Sequence, residues 1–201
     1  MSEPHATSRR LFVQAALGLA GLAALTPPAL AHANPRQVIA AAKAGLDRVG
    51  GQIPYQDVVG VADFSLPSRS PRLHLVDFGS GQVESLLVAH GIGSDPAHTG
   101  WLHRFSNDMN ADCTSEGAYL TSDYYVCQHG QAMRLKGLDA SNSNVEERQV
   151  VVHKAWYVSQ EIVRDHGMLG RSQGCFAVSD DDLPTVLTRL GPGRLLIATK
   201  L

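Results

Sequence analysis

The chain has 201 residues, of which 44% are hydrophobic and 18% are charged, and its formal net charge is -2. This length is sufficient for one domain with a sizeable core, and the composition argues against an intrinsically disordered chain. The small net charge and the lack of a long basic run argue against a nucleic-acid partner. The three cysteines are an odd number, so at least one thiol lies outside any intramolecular disulfide.

Residues 1–31 have the pattern of an export signal. Ser8-Arg9-Arg10-Leu11-Phe12 resembles the twin-arginine consensus, and an apolar run from Ala15 to Leu25 follows it. Small residues then precede a cleavage position after Ala31, or alternatively after Ala33. An uncleaved membrane anchor is the alternative, but the apolar run is shorter than the roughly 20 residues that span a bilayer. We therefore predict twin-arginine export to the periplasm, signal cleavage and no stable membrane insertion afterwards.

Residues 32–56 read as an N-terminal helix and a linker. Asn34 and Pro35 suit the start of a helix, apolar residues then recur at helical spacing, and Gly50-Gly51 ends the pattern. From residue 57 to residue 201 the pattern is mainly that of short strands, which predicts one mainly β (α+β) domain with a few peripheral helices. The predicted strands are 58–64, 72–78, 83–90, 118–126, 132–138, 149–153 and 194–199, and the predicted helices are 155–165 and 179–190.

Cys113 and Cys127 are 127 − 113 = 14 positions apart. In an oxidising compartment they are candidates for a disulfide, which would contribute about 3 kcal/mol for a loop of this size. Two free thiols are the alternative. A metal site with His103 or His129 is a third reading, but no CxxC or HxxxH spacing supports it. We predict no metal and no cofactor.

Cys175 and His153 are the candidates for catalysis. A cysteine attacks as the thiolate, and a nearby histidine can accept its proton. His153 ends an apolar strand and lies 175 − 153 = 22 positions before Cys175, with a predicted helix between them. Gly174 lets the adjacent backbone N–H groups point at a developing oxyanion. The two residues therefore fit a nucleophile and its base.

Several blocks, in order along the chain, resemble the murein L,D-transpeptidase catalytic domain branch of the YkuD-like superfamily, whose members build or edit peptidoglycan cross-links. Ser172-Gln173-Gly174-Cys175 resembles the S-x-G-C nucleophile motif. The other blocks are His90-Gly91-Ile92-Gly93-Ser94, Phe105-Ser106-Asn107, Gly117-Ala118-Tyr119-Leu120-Thr121, His129-Gly130, Arg134 to Asp139, Arg148 to His153 and Gly170-Arg171. The resemblance implies an L,D-transpeptidase-like β-sandwich or mixed sheet.

The resemblance also implies a mechanism. Cys175 would attack a peptide carbonyl of a peptidoglycan stem peptide and form a thioester, with His153 as the base. A backbone carbonyl would orient His153, the N–H groups of Gly174 and Cys175 would bind the oxyanion, and Ser172 would form a hydrogen bond at the nucleophile turn. The acceptor would be the side-chain amine of meso-diaminopimelate on a neighbouring stem. Water as acceptor would make the protein an endopeptidase or carboxypeptidase, and a non-catalytic wall-binding module is an alternative of another class.

The more familiar motif of the superfamily is S-H-G-C-I-R, whereas Gln173 and Phe176-Ala177 stand here. This departure leaves the donor open between the usual 3,3-type linkage and a 1,3-type linkage through L-Ala. Candidate carboxylate-binding residues are Arg171, Arg134 and Arg148. Further candidate substrate contacts are His90, Ser106 and Asn107. We expect a monomer whose partners are stem peptides.

Overall fold

The computed structural model describes residues 33–127 and 130–201, and for Cys127 it describes the backbone. The predicted export signal at residues 1–31 and the motif residue His129 therefore lie outside the described residues. Within the described part of the chain, no helix is both long enough and apolar enough to cross a membrane.

The first helix, α1, spans Pro35–Val49, as the sequence predicts. The Asn34 side chain accepts a hydrogen bond from the backbone N–H of Arg36 at 3.0 Å, and this bond caps the helix. Its buried residues are Val38, Ala42, Gly45 and Val49. All of them except Gly45 join an apolar cluster with Val59 and Ile197 of the sheet. The helix is thus packed on the same core as the strands.

Eight strands form one mixed sheet, in agreement with the predicted fold. They are β1 (Val58–Asp63), β2 (Leu73–Asp77), β3 (Val83–Leu86), β4 (Gly117–Cys127), β5 (Gly130–Gly137), β6 (Val151–Lys154), β7 (Phe176–Val178) and β8 (Leu195–Thr199). Their order is β3-β2-β1-β8-β4-β5-β6-β7. The pairs β1–β8 and β6–β7 are parallel, and the other neighbours are antiparallel.

The two edges of this sheet approach one another, so that the sheet is nearly a barrel. The chain continues past β3, and Ala89 donates a backbone hydrogen bond to Ala177 of β7 at 2.8 Å. Aromatic rings fill the interior, where Tyr119 meets Phe176 edge to face with ring centroids 5.3 Å apart. The closure brings the segment after β3 under the start of β7, where the candidate nucleophile lies.

The other two helices begin later than predicted. Helix α2 spans Gln160–His166 because Ser159 Oγ accepts from the N–H of Ile162 at 3.2 Å, which places the cap four residues into the predicted helix. Helix α3 spans Leu183–Arg189, and Ser179 Oγ accepts from the N–H of Asp182 in a turn ahead of it. The sequence did not predict β7, because three buried residues are too few to show a period.

Candidate active site

Strands β6 and β7 place Cys175 and His153 on one face of the sheet. The parallel register pairs Val152 with Phe176 and His153 with Ala177. Cys175 directly precedes β7, two residues before Ala177, so its side chain points to the same face as that of His153. Diagonal neighbours on adjacent strands lie about 7–8 Å apart, with a somewhat shorter separation between their Cβ atoms, and this is within reach of an aromatic side chain. The intervening α2 is the crossover that a parallel pair requires.

Both side chains open into one cleft of about 670 Å³. The cleft floor is formed by β6 and by the turn that carries the nucleophile. The residues that line it are Tyr125, Arg148, Gln149, Val151, His153, Tyr157, Arg171, Ser172, Gln173 and Cys175. The predicted pair therefore shares a cavity large enough for a peptide.

The orientation of His153 is set by a backbone carbonyl. Its ring is nearly buried, and Nδ1 lies 2.8 Å from the carbonyl oxygen of Lys154. Since a carbonyl oxygen can only accept, Nδ1 carries the proton and donates it. In the neutral ring Nε2 is then the nitrogen that can accept a proton, as a general base requires.

The carbonyl of Gln149 lies beside the nucleophile. Cys175 Sγ is 3.8 Å from this oxygen, and Gln149 adopts a φ of 55°, which is uncommon for a residue with a side chain. The left-handed conformation turns the chain into β6 and aims the carbonyl at the sulfur. Sequence reasoning missed Gln149, because no pattern in the sequence marks such a backbone conformation.

Ser172 organises the turn that presents Cys175. Its Oγ accepts from the N–H of Gly174 at 3.1 Å and donates to the carbonyl of Cys175 at 2.7 Å. Its backbone N–H donates to the carbonyl of His90 at 2.9 Å, which ties the turn to the segment after β3. The predicted hydrogen bonding of Ser172 at the nucleophile turn is therefore present. The N–H of Gly174 is engaged by Ser172, and its predicted oxyanion role stays a prediction.

Gly174 is required by its surroundings. It adopts a φ of +112°, and a Cβ at this position would lie 2.6 Å from the carbonyl oxygen of Cys113. Gly91 packs just as closely, since its Cβ would lie 2.9 Å from the backbone nitrogen of Gly174. The nucleophile turn thus rests directly on two other backbone segments.

We expect Gly174→Ala to reduce kcat by at least about tenfold, because backbone strain of roughly 1–3 kcal/mol and the clash with Cys113 move the nucleophile. Gly51→Ala is the matched control, since a Cβ there meets nothing within 4 Å. Steady-state kinetics on the two purified variants makes the comparison. Full activity in Gly174→Ala would show that the turn tolerates the displacement.

Two arginines give the cleft a positive charge. Arg148 donates to the carbonyl of Ser106 at 3.1 Å and to Ser115 Oγ at 2.6 Å, while Arg171 donates to the carbonyl of Pro96 at 3.2 Å. The described residues that line the cleft include no aspartate or glutamate. Positive charge favours a thiolate and attracts a substrate that carries carboxylates.

The sequence of this chain matches a known protein family. The family model described as the L,D-transpeptidase catalytic domain matches residues 31–198. The chain belongs to the L,D-transpeptidase catalytic domain family. The match spans α1, strands β1 to β7 and all but the last residue of β8, so it includes the cleft and both candidate catalytic residues. The predicted family is confirmed.

Solved structures that align with this chain include an L,D-transpeptidase from Mycobacterium smegmatis, at 16% identity and a TM-score of 0.43, over 71% of this chain and 58% of that one. L,D-transpeptidase 3 from Mycobacterium tuberculosis aligns at 15% identity with a TM-score of 0.44, over 71% of this chain and 60% of that one. The chain thus spans about three fifths of the length of these structures. No curated protein matches it.

In this L,D-transpeptidase domain His90 is a core residue, and its predicted contact with substrate is wrong. Its ring is fully buried, and Nδ1 accepts a hydrogen bond from Arg72 Nη2 at 2.7 Å. Burial, followed by the positive charge of Arg72, lowers the pKa of His90 to about 3. His90 is therefore a neutral ring behind the nucleophile turn.

Ser106 and Asn107 hold a loop and do not line the cleft. Ser106 Oγ donates to Asp108 at 2.9 Å, and Asn107 Nδ2 donates to Ser143 Oγ at 3.1 Å. The carbonyl of Ser106 accepts from Arg148, so this loop positions an arginine of the cleft. Both residues are half-buried and bond locally, and their predicted contact with substrate stays a prediction.

Arg134 lies just outside the cleft. Its guanidinium stacks on the ring of Tyr125, 4.2 Å from the ring centroid, and it lines a neighbouring cavity of about 270 Å³. The two cavities share Gln149 and Val151 as lining residues. Arg134 is thus placed where an extended substrate leaving the catalytic cleft would pass.

The predicted Cys113–Cys127 disulfide is not formed. Cys113 is a free, fully buried thiol. It precedes β4, whereas Cys127 ends that 11-residue strand, and a strand of this length separates its ends by about 30 Å. Bridged Cα atoms must lie within about 7 Å, so strand continuity keeps the two residues apart.

In residues 33–127 and 130–201 no group of three His, Cys, Asp or Glu residues could hold a metal ion.

Tyr157 is a cleft residue that sequence reasoning missed. Burial, followed by the charge of Cys175, raises the pKa of Tyr157 to about 12, so the phenol stays protonated at neutral pH. Its backbone carbonyl accepts from the N–H of Gly170 at 3.0 Å, which joins it to the nucleophile turn. Sequence reasoning missed Tyr157 because it placed this residue inside a predicted helix, 155–165, whereas α2 begins only at Gln160.

Proposed function

We propose that this chain is a periplasmic L,D-transpeptidase that forms peptidoglycan cross-links through a thioester on Cys175. The observation that carries the proposal is the shared cleft of Cys175 and His153, with His153 Nδ1 anchored on the carbonyl of Lys154. This is the arrangement of a nucleophile, a base and the group that orients the base. Family membership supplies the class of reaction.

In the first half-reaction the Cys175 thiolate attacks a carbonyl carbon of the donor stem. His153 Nε2 holds the thiol proton and gives it to the leaving amine as the C–N bond breaks. The C–S bond that forms is a thioester, and the departing fragment carries a new amino group. The positive charges of Arg148 and Arg171 favour the thiolate at the start of this step.

In the second half-reaction the side-chain amine of meso-diaminopimelate on a neighbouring stem attacks the thioester. His153 Nε2 takes a proton from that amine, the new C–N bond forms and the C–S bond breaks. The thiolate of Cys175 is regenerated, so no oxidant, metal or cofactor enters the balance. Water in place of the amine would give hydrolysis.

We further propose that the donor carbonyl is that of L-Ala, which gives a 1,3-type linkage. Gln173, which lines the cleft, stands where the common motif has a histidine, whereas Phe176 is buried in the core. The motif therefore differs at a position that faces the substrate. Stem peptides carry carboxylates, which suits a cleft with two arginines and no acid among its described lining residues. The leaving fragment would be the remainder of the stem beyond L-Ala.

Analysis of muropeptides tests this function. Purified mature protein is incubated with sacculi, and the digested products are separated and fragmented by mass spectrometry. We expect new dimers joined between L-Ala and meso-diaminopimelate, together with release of the distal stem fragment. Dimers joined between two diaminopimelates would contradict the 1,3-type linkage. Loss of dimers without new ones would indicate an endopeptidase, and unchanged sacculi would favour a wall-binding module.

We propose a monomer that reaches the periplasm by the twin-arginine route, on the support of Ser8-Arg9-Arg10-Leu11-Phe12 and the apolar run behind it. Cell fractionation should find the mature chain with periplasmic markers. A cytoplasmic mature chain, or a dimer in size-exclusion chromatography with light scattering, would contradict this part of the proposal.

A further inference from the structure

Trp156 is a large apolar side chain on the surface beside the catalytic cleft. Its side chain is 80% exposed, while that of Trp101 is 41% exposed. The ring of Trp156 meets the ring of Tyr157 edge to face, with centroids 5.8 Å apart and an interplanar angle of 81°. Because Tyr157 lines the cleft with Cys175, Trp156 stands one aromatic ring away from the catalytic cavity.

The backbone that carries Trp156 is firmly held, so the exposure of the ring is built into the fold. Ala155 donates to the carbonyl of Val178 at 2.9 Å, and Val158 donates to the carbonyl of Ala155 at 3.0 Å. Both of these residues are buried in the small cluster beneath the turn. Gly170 packs against Tyr157, where an added Cβ would lie 2.6 Å from the Cβ of Tyr157. The turn therefore holds the backbone of Trp156 in place, and the exposed ring rests against Tyr157.

We propose that Trp156 binds the muramoyl sugar of the donor strand and so helps to select a donor carbonyl close to the glycan. This inference rests on the proposed function and adds the glycan to the substrate. The face of an indole carries negative charge, which attracts the weakly positive C–H bonds of a pyranose face, and stacking excludes water from both. The stem is joined to this sugar through a lactyl group at its first residue.

The geometry of the stem makes the sugar relevant to donor choice. If the acyl group on Cys175 is L-Ala, one residue and the lactyl group separate the sulfur from the sugar. If the acyl group is diaminopimelate, two more residues intervene, and each adds up to about 3.5 Å. The exposed ring of Trp156, which is separated from the cleft by the ring of Tyr157, therefore suits an L-Ala donor, whose sugar lies closer to Cys175.

A binding measurement tests the proposed sugar site at Trp156 independently of activity. The probe is the disaccharide N-acetylglucosaminyl-N-acetylmuramoyl-L-alanine, titrated calorimetrically into Cys175→Ala protein, which cannot form a thioester. We expect Trp156→Ala in this background to weaken binding about tenfold or more, with an unchanged melting temperature. Trp101→Ala is the matched control, because Trp101 is also an exposed tryptophan but does not pack on the cleft residue Tyr157, and its removal should leave the affinity unchanged.

Kinetics with two donors gives the second readout. One donor is the disaccharide tetrapeptide, and the other is the same tetrapeptide without sugar. We expect wild-type protein to prefer the sugar-bearing donor, and Trp156→Ala to remove this preference through a higher KM while kinetics on the free peptide stay the same. An equal loss on both donors would mean that Trp156 contacts the peptide, and it would overturn the sugar site.

The two proposals fail separately. Dimers that form normally, with no effect of Trp156→Ala on disaccharide affinity, would overturn the sugar site and leave the transpeptidase standing. Disaccharide binding that depends on Trp156, in a protein that makes no cross-links, would support the sugar site and count against the transpeptidase.

Discussion

Cys175→Ala is expected to lower cross-linking activity by at least about 1,000-fold while the melting temperature changes little. This loss of activity is large because Cys175 is the group that forms the thioester in the proposed mechanism. Removal of a nucleophile typically lowers kcat by three or more orders of magnitude. The fold should persist because Cys175 is only partly buried, and the hydrogen bonds of Ser172 to this turn involve the backbone of residues 174 and 175. Dimer formation from purified muropeptides is the measurement.

Cys113→Ala is the matched control for the removal of a thiol. Cys113 is buried outside the cleft, so this variant should keep most of the activity and lose some stability through the small cavity. Thiol labelling under native conditions should modify Cys175 far faster than Cys113. Cross-linking that survives in Cys175→Ala would rule out the thioester mechanism.

Arg72→Met is expected to destabilise the fold by about 3–5 kcal/mol, because it leaves buried acceptors unpaired. Arg72 is fully buried and donates to the carbonyls of Val88 and Leu66 and to His90 Nδ1. Burial lowers the pKa of Arg72 to about 9, so it is still a cation at neutral pH. At roughly 2–4 °C per kcal/mol for a domain of this size, thermal unfolding should shift down by about 6–20 °C.

Arg189→Met is the control for this substitution. Arg189 bonds Asp77 and Glu84 at 3.0 Å each near the surface, where such pairs contribute about 1 kcal/mol or less. Calorimetry on both variants should show a much larger shift for Arg72→Met. A shift no larger than that of Arg189→Met would show that the acceptors find other partners.

The sequence was sufficient for the family, the mixed sheet and the pair of catalytic candidates, because these rest on residue types and on their order. Strands that alternate or run apolar over five or more residues are visible as patterns, and β1, β2, β4, β5 and β8 were found within a few residues. His153 and Cys175 could be paired because a predicted strand ends at His153, a predicted helix follows it, and Ser172-Gln173-Gly174-Cys175 resembles a nucleophile motif.

What the sequence could not provide depends on contacts between distant segments. His90 resembles a motif residue, but its role is decided by Arg72, 18 residues earlier, which buries and bonds it. The N–H of Gly174 is engaged by the hydroxyl of Ser172, a bond that no spacing reveals. The carbonyl of Gln149 reaches Cys175 only through a left-handed backbone conformation.

The intact mass of the protein during turnover shows whether Cys175 carries the acyl group. Mature protein is mixed with a disaccharide tetrapeptide donor without acceptor, quenched in acid and analysed by mass spectrometry with peptide mapping. We expect a covalent adduct on Cys175 whose mass is that of the disaccharide-L-alanyl group, and no adduct in Cys175→Ala. An adduct on another residue, or cross-linking by a protein that never forms an adduct on Cys175, would contradict it.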